Sequence, residues 1–116
     1  MLKFYHYPRC QTCVKAKKFL SLKKYDLQEI DITSNPPTAQ EIKTMIKQSG
    51  NPYTAFLNRS GMQYREKNMK ELVKQLSEDE IIQVLSRDGW LLKRPIVTDG
   101  KKTTVGFNEE DFKNKW

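Results

Sequence analysis

Leu2-Lys3-Phe4-Tyr5-His6-Tyr7-Pro8-Arg9-Cys10-Gln11-Thr12-Cys13, with Leu27-Gln28-Glu29-Ile30-Asp31-Ile32 a short helix-length further on, decides the fold. Leu2 to Tyr7 is rich in aromatic residues and alternates in character, the pattern of a strand. Pro8 and Arg9 turn the chain. Cys13, Ala16, Phe19 and Leu20 then recur at helical spacing, with lysines on the other face, which predicts a helix opening at the cysteines and running to about Lys24. Leu27 to Ile32 reads as a second strand. Strand, helix and strand of these lengths form a βαβ unit, whose strands are expected to lie parallel.

Downstream, Asn35-Pro36-Pro37 breaks the chain, and Thr38-Ala39-Gln40-Glu41 is a capping box that starts a helix carrying Ile42, Met45 and Ile46 and ending near Gly50. Pro52 to Leu57 reads as a helical turn, and Leu72, Val73 and Leu76 as another helix. Ser77-Glu78-Asp79-Glu80 is a second capping box ahead of Ile81, Val84 and Leu85. The period then changes. Leu91 to Thr98, an Asp99-Gly100 turn and Lys102 to Phe107 read as a β-hairpin, and a short helix capped at Asn108 follows. The expected architecture is α/β, with a helical block at about 35–87 between flanking segments 1–34 and 88–116.

Composition narrows the function. The 116 residues are enough for one domain with a single modest core, at 37% hydrophobic and 30% charged residues. The apolar runs, such as Ile81-Ile82 and Trp90-Leu91-Leu92, are too short to span a bilayer, and the first residues lack the apolar stretch of a signal peptide. A cytoplasmic protein is expected. The net charge of +7 is spread over a mixed-sign surface, with acids at Glu78-Asp79-Glu80 and Glu109-Glu110-Asp111. No basic run is interleaved with aromatics, so direct nucleic-acid binding is not expected.

The cysteines carry the chemistry. There are only two, Cys10 and Cys13. A disulfide between them would close almost no loop, so it would add little stability. With one histidine, they fall short of a four-ligand zinc site. Redox or nucleophilic chemistry remains. A thiol at a helix start meets free backbone N–H groups and the positive end of the helix dipole, and Arg9, Lys15, Lys17 and Lys18 add cations. Both favour the thiolate, the form that attacks. Cys10 is therefore the expected nucleophile and Cys13, one turn on, the expected resolving thiol. Arg94 precedes Pro95, so its backbone is held extended and its guanidinium aimed, a planar fork suited to an oxyanion. His6, four residues before Cys10, either tunes that thiol or packs at the strand. Arg59 and Arg65 fall in a flexible stretch around Ser60-Gly61.

Across nearly the whole chain the sequence resembles the arsenate reductase (ArsC) and Spx family of thioredoxin-like proteins. The resemblance lies in Tyr5 to Ala16, in Pro36-Pro37 followed by Glu41-Ile42, in Asn58-Arg59-Ser60-Gly61, and above all in Leu92-Lys93-Arg94-Pro95-Ile96 with Val105-Gly106-Phe107. It implies a thioredoxin-like (glutaredoxin-like) four-stranded mixed sheet with a helical insertion. It also implies two functions. In arsenate reductases the cysteine after the first strand attacks arsenate, a histidine matched by His6 tunes it, and arginines matched by Arg59 and Arg94 bind the oxyanion. A third arginine has no counterpart: Thr104-Val105-Gly106-Phe107 stands there. No bound cofactor is implied, only an external reductant, glutathione with glutaredoxin or thioredoxin. In Spx-type regulators a CxxC here is a redox switch, Arg94 has a counterpart beside it, and the partner is the C-terminal domain of the RNA polymerase α subunit. The resemblance favours the reductase-like reading, and a monomer is expected.

Overall fold

A computed structural model describes residues 1–116. In chain order it contains β1 (Leu2–His6), α1 (Gln11–Leu22), β2 (Leu27–Asp31), α2 (Ala39–Ser49), α3 (Met62–Glu66), α4 (Met69–Gln75), α5 (Glu78–Arg87), β3 (Ile96–Thr98), β4 (Thr103–Val105) and α6 (Glu109–Lys115), with 3₁₀ turns at Tyr53–Phe56 and Gly89–Leu91. The four strands form one mixed sheet in the order β2-β1-β3-β4. β1 runs parallel to β2 and antiparallel to β3, which pairs antiparallel with β4. No helix is long and apolar enough to cross a membrane.

Alternation along the strands makes the sheet two-faced. Leu2 and Phe4 of β1 and Val97 of β3 pack with Ala16 and Leu20 of α1 and with Phe112 and Trp116. Tyr5 and Ile96 point the other way, into a larger cluster with Ile42, Met45 and Ile46 of α2, Ile81, Ile82 and Leu85 of α5, and Phe56, Met69, Leu91 and Leu92. The helical block is thus the cover of one sheet face, and α1 with α6 the cover of the other.

Both capping boxes are present. Thr38 Oγ1 accepts the Glu41 N–H at 3.1 Å while Glu41 accepts the Thr38 N–H at 2.9 Å, and Ser77 and Glu80 do the same. Gly50, in the left-handed conformation at φ 70°, ends α2 as its position suggested. Gly89 is required by proximity. A Cβ there would lie 1.8 Å from the Ile32 carbonyl oxygen, so the chain leaving α5 passes directly against the end of β2.

The hairpin departs from the sequence reading. Its first strand starts at Ile96 rather than Leu91, because Leu91 and Lys93 spend their backbone hydrogen bonds elsewhere: the Asn58 N–H donates to the Leu91 carbonyl and the Lys93 N–H to the Phe56 carbonyl, each at 2.8 Å. The turn is not a two-residue Asp-Gly turn. Thr98 pairs with Thr103, and Asp99 Oδ1 accepts the Lys101 and Lys102 N–H groups at 2.8 Å within the longer loop. The stretch expected to be flexible contains α3, which carries Arg65.

Candidate functional site

β1 delivers the chain to the site and α1 takes it away. After Tyr7-Pro8-Arg9 the Cys10 N–H closes a turn onto the Tyr7 carbonyl at 3.0 Å. Cys10 is the N-cap of α1, with extended backbone at φ −84°, ψ 117°, and its Sγ accepts the Cys13 N–H at 3.4 Å. A sulfur occupies the place of an N-cap oxygen, which satisfies one of the free amides of the helix start. Neither cysteine is in a disulfide. Cys10 is half-buried, whereas Cys13 is 1% exposed beneath the helix.

The acidity of Cys13 is set by its surroundings. Burial is the main force on Cys13 and pushes its thiol up to about 12. The Tyr7 backbone and the Arg94 guanidinium act in the opposite sense, and the neighbouring Cys10 acts with burial. Cys13 is therefore held as the neutral thiol near neutral pH.

Arg94, joined to Pro95 by a cis peptide bond, sits beside this pair. Its guanidinium carbon lies 5.5 Å from the centre of the Tyr7 ring and 5.5 Å from that of Trp90, and these two rings are themselves 4.9 Å apart. One terminal nitrogen donates a long hydrogen bond of 3.4 Å to the Leu92 carbonyl, and the buried Nε–H has no partner. A buried, unpaired, charge-bearing donor is costly unless a ligand answers it.

His6 faces β2. Its Nε2 is 3.6 Å from Glu29 Oε1, and Lys17 Nζ holds the same carboxylate at 2.9 Å. Burial is the main cause that lowers the His6 pKa, with Glu29 and Asp31 raising it and Lys17 lowering it again. His6 makes no hydrogen bond to Cys10. Arg59 is exposed and lines a separate pocket of about 370 Å³ with Lys93, Asn58, Ser60 and Thr54; neither cysteine nor Arg94 lines it. Cys10, Cys13 and Arg94 therefore come together, and Arg59 and His6 stand one step outside. The Tyr7 and Trp90 rings were not singled out by the sequence reading. Nothing in a linear pattern says that two aromatics so far apart in the chain close on one arginine.

No group of three His, Cys, Asp or Glu side chains lies close enough together to hold a metal ion. A second cavity, of about 380 Å³, is lined by Lys3, Tyr5, Gln28, Glu41, Gln48 and Thr98 among others and includes neither cysteine.

A mixed sheet in this order with a CxxC at the β1–α1 junction defines a thioredoxin-like protein. The model of the ArsC family matches residues 5–114, and the chain belongs to that family. It is 48% identical over 115 residues to the uncharacterized protein YusI of Bacillus subtilis, covering 99% of this chain and 98% of that one. It is 27% identical over 113 residues to the global transcriptional regulator Spx of Lactiplantibacillus plantarum, covering 97% and 84%. Among solved structures, the crystal structure of a "possible arsenate reductase" from Streptococcus mutans superposes with a TM-score of 0.87 at 40% identity, covering 97% of this chain and 98% of that one. The family thus holds both proteins named as arsenate reductases and proteins named as Spx regulators.

Proposed function

We propose that this chain is a thiol redox protein in which Cys10 is the nucleophile and Cys13 the resolving thiol. The observation that carries the proposal is the Cys10 Sγ capping α1, accepting the Cys13 N–H, over a buried Cys13 that holds its own proton. Cys10 as thiolate attacks the oxidised substrate, an oxyanion such as arsenate, and forms a covalent bond to its central atom as one protonated oxygen leaves as water. Cys13 then gives up its proton and attacks the Cys10 sulfur, which expels the reduced product and leaves a Cys10–Cys13 disulfide. Two electrons have passed to the substrate. An external thiol reductant, glutathione with glutaredoxin or thioredoxin, returns both cysteines to thiols.

Arg94, with its unpaired Nε–H, is the anion anchor of this reading, and Arg59 a second cation at the neighbouring pocket. His6 enters only as a neighbour that shapes the charge around Glu29 and Lys17. An oxyanion such as arsenate suits these donors, and the likeness to the S. mutans protein supports that substrate class.

Mild peroxide followed by mass spectrometry is the test. It should give an intramolecular Cys10–Cys13 bond that thioredoxin or glutathione reverses, and Cys10→Ser should abolish arsenate reduction coupled to those donors. Absence of the bond, with oxidation confined to Cys13, would overturn the assignment. The likeness to Spx favours a second reading, a redox-switched regulator without turnover. Capture of the RNA polymerase α C-terminal domain in one redox state only, with no reductase activity, would select it.

A further inference from the structure

We infer that Trp90 is a positioning residue: its ring, closed against Tyr7, clamps the Arg94 guanidinium so that the buried Nε–H stays free for an anion at the Cys10 sulfur. This rests on the reading that Arg94 serves the cysteine pair. Both rings lie 5.5 Å from the guanidinium carbon and 4.9 Å from each other, so the cation rests in the corner that the two touching rings make, against both aromatic surfaces. Such surfaces attract it without taking up its N–H groups. No carboxylate pairs with Arg94. A carboxylate would hold the guanidinium just as firmly but would consume its hydrogen-bonding edge and cancel its charge. Two rings leave both available.

The frame of the clamp is built independently of the ring it carries. The Trp90 N–H donates to Asp88 Oδ1 at 3.1 Å, and the Trp90 carbonyl accepts from Asn58 Nδ2 at 3.3 Å. Asp88 is in turn held by Lys67 at 2.9 Å. Tyr7 is the other wall of that corner, and its backbone carries the cysteines: its carbonyl accepts the Cys10 N–H and its backbone touches Cys13. The arginine and the sulfurs are thus referred to one residue. Asn58 precedes Arg59, so the segment that presents Arg59 is pinned to the same tryptophan. Changing the Trp90 ring leaves these backbone anchors in place, whereas changing Tyr7 disturbs the thiols directly. Trp90 is the residue to vary.

The experiment compares the rates at which iodoacetate and iodoacetamide alkylate Cys10 between pH 6 and pH 9. Both reagents attack the thiolate, so their ratio cancels the thiolate population and reports the charge felt at the sulfur. A merely loosened structure raises both rates alike and leaves the ratio unmoved. The wild-type ratio should favour the anion, Arg94→Gln should lower it about threefold or more, and Trp90→Leu should lower it nearly as far. Trp90→Phe, which keeps a ring, should restore most of it. Circular dichroism confirms that the variants fold, and Trp90→Met replaces Trp90→Leu should that one fail. An Arg94→Gln loss without a Trp90→Leu loss overturns the clamp and leaves the redox reading standing. No effect of Arg94→Gln overturns both the clamp and the role of Arg94 on which it depends.

Discussion

Alkylation of the folded chain by iodoacetamide at neutral pH is expected to modify Cys10 and spare Cys13. The magnitude follows from the Cys13 thiol being pushed up to about 12. At pH 7 its thiolate is then on the order of one molecule in 10⁵, against a few per cent for an ordinary cysteine near 8.5. The more basic thiolate is also the more nucleophilic, so its rate should be depressed on the order of a hundredfold relative to the same residue in the unfolded chain. Exposure of only 1% depresses it further. The assay is timed alkylation, acid quench and peptide quantitation, with and without guanidinium chloride. Denaturant should bring the two cysteines to similar rates. In Cys10→Ser the protection of Cys13 should survive in large part, because burial is its largest cause and the Cys10 interactions are smaller contributions. A Cys13 rate within tenfold of that of Cys10 in the folded protein would refute the reasoning: the lower sulfur would then be neither buried nor the proton holder of the pair.

Gly89→Ala is expected to destabilise the fold by about 3 kcal/mol or more, because its Cβ would lie 1.8 Å from a backbone carbonyl rather than from a side chain that can swing away. Urea unfolding should show a lower midpoint with the slope unchanged. His6→Gln should flatten the acid limb of stability. Burial chiefly lowers the folded His6 pKa below 6.5, so as pH falls through that value the unfolded chain takes up a proton that the folded chain resists. Stability in the wild type therefore declines as pH falls below 6.5 towards the lowered value, and the loss is complete once both states are protonated. Unfolding midpoints measured from pH 7 to pH 5 should slope in the wild type and less in the variant.

Much of this molecule was legible before any coordinates. Alternation in Leu2 to Tyr7, helical spacing through Cys13, Ala16 and Leu20, and the paired capping boxes at Thr38 and Ser77 are local rules acting on neighbouring residues, and each stands where it was expected. The hairpin failed for an equally physical reason. Leu91 to Pro95 has the composition of a strand, yet its backbone is taken by Phe56, Asn58 and a 3₁₀ turn, partners that no window along the chain contains. Helix α3, with no buried residue, has no apolar period to announce it.

The site divides in the same way. The sequence by itself determined that a cysteine would cap a helix following a strand, with a second thiol one turn on, because both facts are set by spacing. Only the tertiary structure decided that Cys13 keeps its proton, since that depends on the cover it receives from distant residues. It alone also brought Tyr7 and Trp90 together against Arg94 and left His6 facing Glu29. Desolvation and ring packing depend on what surrounds a group in space, and the order of residues along the chain does not state it.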